Sequence, residues 1–342
     1  MKTTLLVAML AVAAAGSAQA QQARDQIRAV GSSTVFPFTT TVAETFARSS
    51  GRKAPIVEST GTGGGIRLFC AGVGTQHPDI VNASRPITRS ELETCARNGV
   101  TAITEVTIGF DGIVLAVKKG APRFDVTRRQ LWLALARQVP RNGQLVANPY
   151  QRWSDIDPGL PNLAIEVMGP PPTSGTRDAF VEMVMDAGCK NFAEIKAIAE
   201  PRARAQACAA IREDGRYIEA GENDNLIVQR LVAGQGATIG IFGFSFLEEN
   251  VDKLQGKHVD GVEPSFENIA DGSYPISRSL FFYVKNAHAG VVPGLREFIA
   301  EYVSDRSMGE EGYLERKGLI PLPKPARDKV RAGAVSLTPM AM

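Results

Sequence analysis

Nowhere does this 342-residue chain approach the run of about 18 apolar residues that a membrane-spanning helix needs. Blocks of like charge are missing too: 38 Lys and Arg are interspersed with 36 Asp and Glu, for a net charge of +2. That balance excludes wholesale binding to nucleic acid or to an anionic membrane and leaves room only for local charge recognition. Histidine is scarce: three residues (His77, His258 and His288) lie scattered without ligand spacing, and no Cys-x-x-Cys pair occurs. A metal centre is therefore not expected. No Gly-x-Ser-x-Gly elbow and no carboxylate cluster with metal spacing offers a hydrolase its activated nucleophile. Nor is there an internal repeat or low-complexity tract that would indicate a solenoid.

What is present is an ordinary globular composition, 44% hydrophobic, with enough chain for roughly two domains. The first twenty residues carry Lys2, an apolar stretch from Leu5 to Ala15 and the small-residue end Ala18-Gln19-Ala20. This pattern predicts a cleavable secretory signal over residues 1–20. No Cys stands at the cut to carry a lipid, so an unanchored protein of the periplasm is expected. Export permits disulfides among the four cysteines. The local pairing, Cys70 with Cys95 and Cys189 with Cys208, closes loops of about 25 and 19 residues and contributes roughly 3 kcal/mol per bridge in the chain-entropy model. Four buried thiols are the other reading.

After the signal, short β-rich runs alternate with helical stretches. Ile27 to Val30, Ala54 to Glu58 and Asp79 to Asn82 read as strands, with helices over Phe36 to Arg48, Gly65 to Ala71 and Arg89 to Asn98, then a long β run from Val106 to Val117. A looser middle, rich in Gly, Pro and Asn over Arg141 to Gln151 and Asp155 to Pro161, separates the two halves of the pattern. Strands then return at Leu163 to Met168, Ala237 to Phe244 and Leu280 to Val284, and helices at Thr176 to Ala187, Asn225 to Gly234 and Gly294 to Ser304. Such alternation predicts an α/β fold with a mainly parallel sheet. The tail after Pro321, Pro-rich and then basic, is expected on the surface.

Polar chemistry concentrates at four strand-to-helix junctions of similar composition. They are Gly31-Ser32-Ser33-Thr34-Val35-Phe36-Pro37, Ser59-Thr60-Gly61-Thr62-Gly63-Gly64-Gly65, Ala83-Ser84-Arg85-Pro86 and Thr173-Ser174-Gly175-Thr176-Arg177-Asp178. Helix N-termini present unpaired N–H groups and a positive dipole end, and neighbouring hydroxyls add donors to an anion. In a parallel α/β sheet these ends share the carboxyl edge, where ligands bind. Arg85 and Arg177 add planar guanidiniums suited to phosphate oxygens. Singly, each junction reads as a structural N-cap before it reads as a site, and each arginine as a surface ion pair. Four in one chain point to a shared oxyanion site.

In order and spacing, Gly31 to Pro37, Thr62-Gly63-Gly64-Gly65, Asp79-Ile80 leading to Ser84-Arg85-Pro86, and Ser174-Gly175-Thr176-Arg177 resemble the phosphate-binding proteins of bacterial ABC phosphate importers. The resemblance also takes in Ala237 to Phe244 and Tyr274-Pro275-Ile276, and so covers most of the chain. It implies a two-lobed type II periplasmic binding protein, each lobe a mainly parallel sheet flanked by helices. Residues 21–110 plus 275–342 would form lobe I and 111–274 lobe II, with two hinge crossings near Asp111 and Tyr274. It implies binding without catalysis: hydroxyls of Ser33, Thr34, Thr62, Ser84, Ser174 and Thr176 and the N–H groups of Val35, Gly63 and Gly175 hold inorganic phosphate, and Arg85 and Arg177 neutralise it. A membrane permease is the implied partner, with no cofactor and a monomeric state.

Two positions depart from the best-known members, which carry an Asp after the Ser of the third loop and an Arg four residues before the Ser of the fourth. Here these are Arg85 and Pro170. A second branch, with Ser-Ser-Arg or similar in the third loop and Ser-Gly-Thr-Arg in the fourth, is closer. The missing Asp accepts the proton of hydrogen phosphate and so rejects sulfate. Asp111 in Phe110-Asp111-Gly112 is a candidate replacement, Asp178 is another, and a backbone-bonding role for Asp111 is the plain alternative. A binder of sulfate, molybdate or arsenate and an exported phosphatase are the competing functions.

Overall fold

Alternate residues of two parallel strands set the first wing of the sheet. In the computed structural model, which describes residues 24–122, 124–220, 224–234 and 237–341, β1 (Arg28–Gly31) pairs in parallel with β2 (Ile56–Ser59) and β3 (Ile80–Ala83). The expected export signal lies outside the described residues. Ala29 and Ile80 point into one apolar cluster with Val42, Phe46, Phe298 and Tyr302, while Val30 and Val81 point into another with Ile66, Phe69 and Tyr283. The two-residue period thus puts a core on each face. The connecting helices are α1 (Phe36–Ser50) and α2 (Thr62–Phe69), and α3 (Arg89–Arg97) follows β3. α1 buries Phe38, Val42, Ala43 and Phe46 as one stripe and ends on Gly51 in the left-handed region.

The long strand β4 (Ile103–Lys118) joins this wing to the rest of the chain. It is nearly continuously buried, as a strand covered on both faces should be. Beyond it come the hairpin β5 (Gln138–Arg141) and β6 (Gln144–Ala147), then β7 (Val167–Gly169), β8 (Tyr217–Glu219), β9 (Ile239–Gly243), β10 (Leu254–Gly256) and β11 (Ser277–Lys285). The main sheet runs β2-β1-β3-β11-β4-β9-β7-β8, with β10 also on β4. β7, β8 and β9 form a second parallel wing. The pairings of β11 with β3 and of β4 with β11, β9 and β10 are antiparallel, so the two wings meet through an antiparallel centre. A third apolar cluster gathers Trp132, Trp153, Phe180 and Phe242 around Ile113 to Val117 of β4.

Both expected disulfides are present, Cys70–Cys95 and Cys189–Cys208. Several elements differ from expectation. The loose stretch after Arg141 is the return strand of the hairpin, turned by Asn142 and Gly143 at φ 51° and 76°. The tail after Pro321 is exposed over most of its length, as expected, but it is folded. It forms the helix Lys324–Ser336, which buries Arg327 and Ala334 and packs on β4 and on the helix Leu295–Tyr302. Arg327 is held there by donating to Leu322 O at 2.7 Å. The helix expected over Thr176 to Ala187 is interrupted: an α segment Gly175–Phe180 passes through a π turn, Val181–Met185, into Asp186–Cys189.

Candidate functional site

β1 stops at Gly31, where φ is +130° and a Cβ would stand 2.2 Å from Asn82 O. Only glycine fits this approach, which lets Ser32 N donate to Asn82 O at 3.0 Å and fixes the loop leading into α1. α1 starts after Val35 without a side-chain cap, with Pro37 in its first turn. Val35 itself is buried, and its N–H lies 3.4 Å from Ser32 Oγ. α2 starts after Gly61, also uncapped, and is pressed against β1 so tightly that a Cβ on Gly65 would stand 2.5 Å from Gly31 Cα. Thr62 Oγ1 accepts from Ser84 N at 3.1 Å and lies 3.2 Å from Ser84 Oγ, tying the second loop to the third.

These three loops line a cavity of 270 Å³ with Ser32, Ser33, Thr34, Gly61, Thr62, Gly63, Ser84 and Arg85, and Asp178 and Glu182 complete the wall. Two uncapped helix N-termini therefore face a polar pocket, an arrangement that favours an anion. α3 offers no such end, because Thr88 and Glu91 close it with a capping box. Glu91 also grips Arg85, accepting from its two terminal nitrogens at 2.9 and 2.8 Å. That bond pushes the Glu91 carboxyl down to about 2 and raises the pKa of the Arg85 guanidinium. Arg85 thus stands at the cavity with its charge already matched.

The fourth junction meets the first from the other side. A Cβ on Gly175 would stand 3.5 Å from Ser33 O and 3.6 Å from Thr34 Cα. Ser174 Oγ accepts from Thr176 N at 3.2 Å and caps its own helix. Ser174, Gly175 and Thr176 line a second cavity, of 470 Å³, with Thr34, Asp111, Gly243, Arg316 and Lys317. The structure therefore brings all four junctions to Thr34, with the pocket space divided on either side of it. Arg177 lines neither cavity. It donates to Pro170 O at 3.1 Å and lies 4.5 Å over the Tyr217 ring, whose hydroxyl donates to the same carbonyl at 2.8 Å. Pro170 and Arg177 together brace the loop from behind.

Arg278, in β11, is the site cation that sequence reading missed. It lies opposite Asp111 in the strand register, and its side chain is 11% exposed. Its Nη2 donates to Thr34 Oγ1 at 2.9 Å, its Nη1 donates to Glu182 Oε2 at 2.5 Å, and its Nε faces Asp111 Oδ2 at 3.4 Å. Burial pushes the Asp111 carboxyl above its ordinary range; Arg278 opposes the rise, and Glu182 adds to it. The available signal was Ser277-Arg278-Ser279 directly after Tyr274-Pro275-Ile276. Tyr274 is fully buried just before the strand. Among the described residues, no group of His, Cys, Asp and Glu is arranged to hold a metal ion.

Comparison with known proteins matches residues 16–306 to a family model described as a PBP superfamily domain. The protein SphX of Synechococcus elongatus is 32% identical over 315 residues, covering 90% of this chain and 81% of that protein. The phosphate-binding protein PstS of Staphylococcus saprophyticus is 29% identical over 331 residues, covering 94% and 89%. A crystal structure of a possible phosphate-binding protein from Planctomyces limnophilus superposes with a TM-score of 0.72 at 28% identity, covering 92% of this chain and 98% of that one.

Proposed function

The chain belongs to the PBP superfamily, and from that premise we propose that it is an exported solute-binding protein that captures inorganic phosphate between two lobes and delivers it to an ABC permease. The observation that carries this reading is the meeting of four hydroxyl-bearing junctions at Thr34, three from the first wing and one from the second. Hydroxyls of Thr34, Thr62 and Ser84 and the N-termini of α1 and α2 donate to the anion, and Arg278 supplies positive charge. Asp111 accepts the proton of hydrogen phosphate, and its raised pKa makes it a stronger acceptor than a solvated carboxylate. Sulfate brings no proton and leaves that acceptor facing an oxyanion.

The lobe division at residues 21–110 plus 275–342 and 111–274 is supported by the core. One apolar cluster draws on Phe110 to Ile276 with Ile320 and Leu322, and the other two draw on residues outside that span. β4 and β11 cross between the lobes, with Asp111 and Arg278 at the crossing, so closure about these strands buries the anion. Among the described residues no helix is long and apolar enough to cross a membrane. A signal over residues 1–20, delivery to the periplasm, a monomeric state and binding without turnover complete the reading.

Calorimetric titration of phosphate-stripped protein, with phosphate and then sulfate, tests it. Phosphate is expected to bind at one site, with sulfate weaker, and no phosphoester is turned over with or without divalent metal. Absence of a phosphate signal overturns the reading; sulfate binding as tightly shifts it to a general oxyanion carrier.

A further inference from the structure

The side chains around the 270 Å³ cavity carry no surplus of positive charge; Arg316 and Lys317 stand on the 470 Å³ cavity, on the other side of Thr34. Arg85 is matched by Glu91, while Arg278 serves both Asp111 and Glu182, and Asp178 stands on the same wall. A doubly charged anion placed among these groups would meet carboxylates as well as donors. One of the carboxylates is built to leave. Glu182 lies in the π turn Val181–Met185, its side chain is 55% exposed, and its described bond at the site is the one to Arg278 Nη1. π turns inside helices recur at functional positions, because the wider turn re-aims a side chain. Asp111, by contrast, is 15% exposed and fixed by the strand pairing, so it stays.

We propose that Glu182 is an internal stand-in for the ligand: its carboxylate occupies, on Arg278, the place that a phosphate oxygen takes when the anion enters. The inference rests on the phosphate reading above. Arg278 Nη2 donates to Thr34 Oγ1 and so takes a lone pair of that hydroxyl, turning its proton away from the guanidinium and toward the pocket. When Glu182 withdraws toward solvent, Nη1 opens to the same pocket, next to the aimed hydroxyl. Arg278 is then both a ligand contact and a positioning residue for Thr34. A tethered carboxylate also acts as a threshold: an incoming anion must outcompete it, which a dianion does and a halide does not.

Phosphate titrations of the wild type, Glu182→Gln, Arg278→Lys and the double variant test this, with thermal unfolding as the check on folding. Lys keeps a cation beside Asp111 and avoids leaving that carboxylate unpaired. Glu182→Gln is expected to bind phosphate about fivefold more tightly than the wild type and to lose affinity on addition of excess chloride, which leaves the wild type unmoved. Arg278→Lys is expected to weaken binding about tenfold, and in that background Glu182→Gln gains little, since the two act on one contact. Equal or weaker phosphate binding by folded Glu182→Gln overturns the stand-in while leaving the phosphate reading intact. A wild type that binds no phosphate overturns both.

Discussion

Replacing Asp111 with Asn probes selectivity without changing shape. In the wild type the carboxylate has one oxygen toward Arg278 Nε at 3.4 Å and lines the cavity beside Thr34 and Ser174. An Asn there keeps its carbonyl oxygen toward the guanidinium, since an amide N–H would oppose another donor, and so turns its NH₂ toward the ligand. Phosphate then loses a charge-assisted acceptor and meets a donor; sulfate gains a donor. The loss for phosphate is about 2 kcal/mol, the middle of the range for hydrogen bonds to charged groups, or roughly thirtyfold in Kd. Sulfate affinity should hold or rise, and calorimetry with both anions reads the ratio. Folding is separated by the pH sign. Because burial raises the Asp111 pKa, its contribution to stability is present below the pKa of the unfolded chain and is lost as pH rises through the folded value. Asp111→Asn removes that titration, so the variant's melting temperature should fall less with rising pH than the wild type's. A phosphate-to-sulfate ratio unchanged by Asp111→Asn would refute the acceptor role.

Gly65→Ala places a Cβ 2.5 Å from Gly31 Cα, backbone against backbone, and should destabilise by about 1–3 kcal/mol, read as a lower urea midpoint; a wild-type midpoint would contradict the close approach. Glu91, held down to about 2, contributes stability above the unfolded carboxylate pKa and loses it as pH falls toward 2, on the order of 1–2 kcal/mol after solvent screening. Glu91→Gln should accordingly unfold earlier at neutral pH and match the wild type in strong acid, with melting temperatures across pH as the measurement. Reducing both disulfides should remove about 3 kcal/mol each, and native protein should show no reactive thiol before reductant is added.

Periodicity made the first wing legible: Phe38, Val42 and Phe46 repeat at helical spacing, and the strand runs alternate into two cores. The junction loops were legible because one Gly, Ser and Thr composition recurs at four strand ends, although each alone reads as an N-cap. Arg278 was not, because its partner Asp111 is far away in sequence and becomes a neighbour only through the β11–β4 register. Contiguity assigns Arg177 to the ligand, but two helical residues differ by about 200° around the axis, so Gly175 and Arg177 face opposite ways. The same arithmetic puts Asp178 and Glu182, four apart, together on the cavity wall. Asn142-Gly143 and Pro325 carried hairpin and helix-start signals that the surrounding polar composition hid.

The two disulfides sit at corresponding places. Cys70 terminates α2, whose other end faces the cavity, and Cys189 terminates the helical run that begins at Gly175. Each bridge pins from behind a segment whose other end lines one of the two cavities. Reduced, each wing loses one pin worth about 3 kcal/mol, a sizeable share of the 5–15 kcal/mol typical of a single domain. Oxidation therefore fixes the cavity loops through the far ends of their helices, and it couples the shape of the pocket to the redox state of its surroundings.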